Sequence, residues 1–182
     1  MIRAATSSDF PLVQELILDG ARSSGFDPAL TQPTTETQNF FAGLLKVIED
    51  KIWLRPMTNQ PLMLGIPASL WMYENPDLGL EPLGFVALKS AGRFGQELWL
   101  AAIRPELRGR GVGKQMITEL LAAPAGRTIA VVQCDKHALG GQRMAGIMSR
   151  AGFELVRDGK GSQWLASRAL AEPMKRWLMS AS

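Results

Sequence analysis

The sequence predicts an α/β (α+β) domain on a mixed sheet, and three observations carry that prediction. The centre of the chain runs strand, glycine turn, helix, strand: residues 96–103, then Arg108-Gly109-Arg110-Gly111-Val112-Gly113, then an apolar helical stripe, then residues 128–134. A crossover of this kind joins parallel strands. Behind it, residues 153–157 and 163–167 flank Asp158-Gly159-Lys160-Gly161 as a closing antiparallel hairpin. Ahead of it stand two stretches with apolar residues at helical spacing.

In chain order, residues 2–5 form a short first strand. Ser8 or Asp9 offers an N-cap to a helix carrying Phe10, Val13, Leu16 and Ile17, which ends near Gly20 before Ser23-Ser24-Gly25 and Asp27-Pro28. Thr35 with Gln38 has the spacing of a capping box, and Phe40, Phe41, Leu44, Leu45 and Ile48 stripe the helix that follows. Between residues 55 and 82, Pro56, Pro61, Pro67, Pro76 and Pro82 interrupt the pattern. Residues 62–64 and 69–73 read as two strands between them. Residues 84–89 form a strand closed by Arg93-Phe94-Gly95, and residues 96–103 the next, apolar from Leu98 as a strand buried on both faces requires. Val112, Met116, Ile117, Leu120 and Leu121 face one side of the helix after the glycine turn. Met144, Ile147, Met148 and Ala151 mark another helix after Gly140-Gly141, with Gly152 as its C′ glycine, and residues 172–179 suit a terminal helix.

Composition narrows the function. A chain of 182 residues with formal net charge +3 fits one globular domain, and its mild positive excess is far below a nucleic-acid signature. Cys134 is the only cysteine, which excludes an intramolecular disulfide and fits a reducing compartment. One His and one Cys cannot build a typical structural zinc site. The opening residues lack a signal peptide's apolar stretch, and no apolar run is long enough to span a bilayer. A cytoplasmic protein acting without metal, nucleic acid or membrane is the expectation.

The glycine turn supplies the chemistry. Glycines admit positive φ and let a ligand approach the main chain, and the helix start behind them presents unpaired N–H groups and the positive end of the dipole. Arg108, Arg110 and Lys114 add charge around the same spot, so a pyrophosphate is the natural guest. Two phosphate loops are excluded. Gln115 follows Lys114 where a nucleoside-triphosphate loop needs Ser or Thr, and the glycines at 109, 111 and 113 do not fit G-x-G-x-x-G.

Arg108-x-x-Gly111-x-Gly113 after strand 97–103 and Arg104-Pro105 resembles the coenzyme A signature [RQ]-x-x-G-x-[GA] of the GNAT N-acetyltransferase family. Residues 2–16, Gly84-Phe85-Val86 and Ala151-Gly152-Phe153 are similar to further family elements, whereas residues 28–82 are not typical of it. The resemblance implies a single three-layer domain over residues 1–182, with a mostly antiparallel central sheet and a variable acceptor-side segment at about 28–82. It implies direct acetyl transfer from acetyl-CoA to a primary amine of a small molecule or protein. A homodimer is a further partner compatible with the chain. Main-chain amides among Arg108, Gly109, Arg110, Gly111, Val112, Gly113 and Lys114 would hold the pyrophosphate. Ala101, Ala102 and Ile103 would pair with the pantetheine, and an amide near Ala101 or Ala102 would face the acetyl carbonyl.

An amine must lose a proton before it attacks. Glu97 stands where several members of the family carry a catalytic glutamate, although a strand-edge carboxylate paired to an arginine such as Arg93 is the alternative. The family's usual acid is a tyrosine four residues before the glycine of "-G-F-", and Met148 occupies that position here. Methionine donates no proton. A non-catalytic coenzyme A sensor of the same fold is therefore the competing expectation, and an interaction module using the aromatic helix around Phe40 is another. Cys134 reads as a small buried apolar group and His137 as a loop residue. Tyr73, Trp71 and Phe41 are candidates either for the acceptor pocket or for the core, and Glu74, Asp77 and Glu81 form a loose carboxylate group.

Overall fold

The computed structural model describes residues 1–56, 63–79 and 81–180. Eight strands make one sheet: β1 (Ile2–Ala4), β2 (Ile52–Pro56), β3 (Met63–Tyr73), β4 (Gly84–Ser90), β5 (Gln96–Ile103), β6 (Ile129–Asp135), β7 (Phe153–Asp158) and β8 (Ser162–Ser167). Their order is β1-β3-β4-β5-β6-β8-β7, with β2 paired to β3. Among the described strands only β5 and β6 run parallel. Five α-helices connect them: α1 (Phe10–Arg22), α2 (Thr35–Asp50), α3 (Val112–Ala122), α4 (Leu139–Arg150) and α5 (Arg168–Ser180).

Strand alternation sorts the helices into two outer layers. Val86 and Leu88 of β4 bury against Val112, Met116, Ile117 and Leu120 of α3 and Ala145 and Met148 of α4. Their neighbours Phe85 and Ala87 point the other way, onto Val13, Leu16 and Ile17 of α1 and Phe41, Leu44, Val47 and Ile48 of α2. Met174 of α5 packs with Val131 and Ala166, beyond α1 and α2 on the sheet. A period of two in the strands and of 3.6 in the helices suffices to divide the core in this way.

The expected elements differ from the observed ones at their ends. Asp9 is the N-cap residue of α1, as expected, though its side chain bonds no N–H of that helix. The 3-10 turn Ser7–Asp9 before it is capped by Thr6, whose N–H donates to Asp9 Oδ2 at 2.8 Å, and α2 is capped by Thr34, whose Oγ1 accepts from Thr37 N–H at 3.2 Å. The two short strands expected around Pro67 are one strand, β3. Pro67 sits where β3 passes from pairing with β2 to pairing with β4, a junction that needs little from its missing N–H. Leu62, expected in the first of those short strands, lies outside the described residues. β2 was not expected at all. Helix α4 begins at Leu139, so Gly140 and Gly141 fall inside its first turn; a Cβ on Gly141 would lie 2.1 Å from the Asp135 carbonyl oxygen, which accounts for the glycine.

Candidate functional site

Strands β5 and β6 pair at Gln96–Ile129, Glu97–Val131 and Leu98–Val132, and then part. A parallel pair that opens midway leaves the backbone of the later residues on both strands without its ladder partner. The opening belongs to a cleft of about 1770 Å³ lined on β5 by residues 97–103, on β6 by residues 132–135, and by the glycine turn. On the other edge of β5, Ala87 pairs with Leu100 and Leu88 with Leu98, so Trp99 is an extra residue in a bulge at the point of opening.

The glycine turn stands at one end of the cleft. Gly109 and Gly111 have φ of 78° and 84°, in the left-handed region, and a Cβ on either would meet nothing within 4 Å. Glycine is therefore demanded there by backbone conformation and by free space, not by a crowded neighbour. Gly111 is the N-cap of α3, and the first backbone bond into the helix runs from Gln115 N–H to the Gly111 carbonyl at 3.0 Å. The N–H groups of Val112, Gly113 and Lys114 thus lie at the helix start with no intrahelical acceptor.

Not every residue of the turn faces the cleft. Arg108, Gly109, Gly111, Gly113 and Lys114 line it; Arg110 is exposed outside the lining, and Val112 is buried beneath the turn in the core. The Arg108 guanidinium meets the Asp19 carboxylate of α1 at 2.5 Å, and its backbone N–H donates to the Pro105 carbonyl at 3.1 Å. This ion pair ties the turn to α1.

Glu97 lies at the opposite end, buried and facing the α1/α2 side. Its partner is Lys89, directly across from it on β4, with Nζ 3.3 Å from Glu97 Oε1. Arg93, the expected partner, instead stacks on Phe94. Burial pushes the Glu97 carboxyl above its ordinary value, and the Lys89 cation offsets only part of that rise. The Lys89 ammonium also stands 5.0 Å from the centroid of the Trp99 ring, which packs edge-to-face on Trp53 at 4.6 Å and on Phe40 at 6.3 Å. Phe40 is therefore part of an aromatic cluster behind Trp99 and not a free aromatic surface.

The remaining candidates divide plainly. Cys134 lines the cleft but is buried, and burial pushes its thiol up to about 11, so it stays protonated at neutral pH. His137 lines the cleft too, held by its N–H to Asp135 Oδ1 at 2.7 Å. Tyr73 is in the core, its hydroxyl donating to Glu119 of α3 at 3.1 Å. Met148 is fully buried under α4 and does not line the cleft. Phe41 is buried against α1 and the sheet, and Trp71 donates to Ser69 Oγ. Glu74 pairs with Arg3 and Glu81 with Arg104, away from the cleft. Of the described part of segment 28–82 only Pro28 reaches the lining. The α1–α2 wall is made just before it, by Gly20 and residues 23–27.

Sequence reasoning missed Lys89, Trp99 and that wall. Lys89 pairs with Glu97 because the hairpin turns about Arg93, with Ser90 opposite Gln96; the turn expected over residues 93–95 would have set Lys89 opposite Trp99 instead. The bulge that turns Trp99 into the cleft has no signal in the sequence.

Comparison with solved structures places the fold. An acetyltransferase from Thermus thermophilus superposes with TM-score 0.55 at 21% identity, covering 91% of this chain and 94% of that one. The PaiA N-acetyltransferase of Thermoplasma acidophilum, in complex with coenzyme A, matches with TM-score 0.55 at 13% identity over 92% and 97% of the two chains. A GNAT-family acetyltransferase from Staphylococcus aureus matches with TM-score 0.55 at 13% identity over 92% and 97%. No protein-family model and no curated protein sequence matches the chain. The chain has the GNAT acetyltransferase fold. Among the described residues no helix is long and apolar enough to cross a membrane.

Proposed function

We propose that the chain is an acetyl-CoA-dependent N-acetyltransferase of the GNAT family that moves an acetyl group directly to a primary amine. The observation that carries this reading is the conjunction at β5: the strand parts from β6 after Leu98 and runs into a turn whose glycines hold open space before free helix-start N–H groups. An elongated thioester with a pyrophosphate at one end fits such a groove. Acetyl-CoA would supply the activated acyl group.

The chain's own residues have these roles. Main-chain N–H groups of Gly109 and of residues 111–114 hold the pyrophosphate, with Lys114 adding charge and Arg108 bracing the turn against Asp19. The edge of β5 at residues 101–103 that faces away from β4, where β6 has parted from it, holds the pantetheine and orients the acetyl carbonyl. Glu97 takes a proton from the acceptor amine; burial, which raises its affinity for protons, suits it to that task. Neither Met148 nor the buried Tyr73 can protonate the thiolate, which leaves solvent or another residue lining the cleft to do so.

Gly111→Asp tests the binding half. A negative charge at the pyrophosphate position should abolish coenzyme A binding by calorimetry, and the side chain at positive φ should lower the melting temperature by a few degrees without unfolding the chain. Unchanged affinity would remove the site. A second reading is favoured by Met148 alone: a coenzyme A-binding protein without turnover. Tight coenzyme A binding with no acetylation across a broad amine panel would select it.

A further inference from the structure

We propose that Lys89 is a self-acetylation site of this chain, an amine already held against the base at the acceptor end of the cleft. The inference rests on the transferase reading above and names a substrate for it.

Two of the chain's lysines line the cleft, Lys89 and Lys114. Lys114 belongs to the glycine turn, at the far end from the acceptor. Lys89 is in register with Glu97 across β4 and β5, 3.3 Å from its carboxylate, and leans over the ring of Trp99, the bulge residue at which β5 opens toward Ala101. Its ammonium thus contacts both Glu97 and the residue at which β5 opens. Of the other five lysines, Lys46 is held by Asp50, Lys136 by Asp158, Lys175 by Glu172 and Lys51 on the Ile48 carbonyl, and Lys160 is exposed on the β7–β8 turn; none of them lines the cleft.

Contact with Glu97 solves the nucleophile's difficulty. An ammonium cannot attack, and here the carboxylate that could deprotonate it is its direct neighbour. Proton transfer turns a half-buried ion pair into a neutral amine and a neutral acid, a pair that a dry site tolerates better. The Lys89 nitrogen then attacks the thioester carbonyl carbon. The C–N bond forms and the C–S bond breaks, with the electron pair leaving on sulfur. The second nitrogen proton ends on the coenzyme A thiolate, giving the free thiol, and Glu97 returns the first to solvent. No oxidant or metal enters the balance. The product is a neutral amide at the mouth of the acceptor site. It removes the cation from both Glu97 and Trp99 and takes the room of an incoming amine, so the modification acts as a brake on turnover.

The purified full chain is incubated with acetyl-CoA and followed by intact mass and peptide mapping, with tryptophan emission recorded alongside. One acetyl group should appear at Lys89, at a rate independent of protein concentration, with a shift in emission as the ammonium leaves Trp99. Lys89→Arg, which keeps the charge, should show no acetylation at 89. Glu97→Gln should slow it about a hundredfold, and Gly111→Asp should abolish it. Acetyl groups spread evenly over surface lysines, or labelling of Lys89 undiminished by Gly111→Asp, would overturn the proposal. Calorimetric binding of coenzyme A and turnover of free amines are measured on the same preparation. Turnover with Lys89 unmodified overturns self-acetylation and leaves the transferase standing; absence of binding, turnover and modification together overturns both.

Discussion

Asp9 and Glu97 are the two buried charged side chains among the described residues, 8% and 7% exposed, and their carboxyls are driven in opposite directions. Asp9 receives both arms of the Arg3 guanidinium at 2.8 Å, together with the Thr6 N–H at 2.8 Å and the Thr6 hydroxyl at 2.9 Å. Those donors, the guanidinium first, hold it down at about 2. Glu97 lies deeper in the sheet, with the single cation of Lys89 at 3.3 Å, and burial prevails. Similar exposure therefore says little by itself; depth in the sheet and the number of donors that follow a carboxylate into the protein together set the sign. The satisfied group builds the fold, since Arg3 also reaches Glu74 at 2.6 Å and so joins β1, the α1 entry and the end of β3. The under-satisfied one sits in the cleft, where a group ready to accept a proton has a use.

Four experiments would break or sharpen that contrast. The largest effect is expected from Glu97→Gln, which should lower the rate at saturating acetyl-CoA about a hundredfold while leaving coenzyme A affinity and the melting temperature unchanged or slightly raised. A clear loss of stability in this variant would erase the distinction from Asp9. Next, Asp9→Asn should cost about 2 kcal/mol in urea unfolding, from the depressed carboxyl alone, with coenzyme A affinity intact. Third, the two groups have opposite pH signatures. The stabilisation from Asp9, whose folded value lies below its unfolded one, is complete above about pH 4 and disappears as pH falls through about 2. That from Glu97, whose folded value is raised, is present in acid and is lost as pH rises through the raised value. Asp9→Asn should flatten the acid limb of the stability curve and leave the other, and an unchanged acid limb would show that other carboxylates dominate it. The smallest effect is expected from Lys89→Met: without the cation, Glu97 should titrate higher still, moving the acid limb of the pH–rate profile upward. A downward move would mean that another group supplies the base.

How much of this was legible follows from the range of the interactions involved. The turn at 108–113, β5, α3, β6 and the closing hairpin are patterns of neighbours in sequence: apolar runs, helical spacing and glycines before a helix. They were readable with errors of a residue or two. Strand β2 and the joining of residues 63–64 and 69–73 into one strand were not, because β2 and the β2-facing half of β3 are held by each other, and Pro67 is tolerated only because a strand changes partner there. Tyr73, Trp71 and Phe41 illustrate the same limit at the site. As apolar residues in plausible strands and helices they suited a pocket or a core equally, and only the layering of α1, α2 and α3 assigned them to the core.

For the cleft itself, the sequence alone determined the glycine turn at a helix start, since that geometry is encoded within six consecutive residues. It also placed Glu97 on the strand leading there and put Met148 where the family carries a tyrosine. Tertiary structure decided the rest. The parting of β5 from β6, the bulge at Trp99, the pairing of Arg108 with Asp19 and the contact between Lys89 and Glu97 all depend on which strands and helices become neighbours. Burial with too few donors, which makes Glu97 a candidate base, is a property of packing, and no local pattern of residues encodes it.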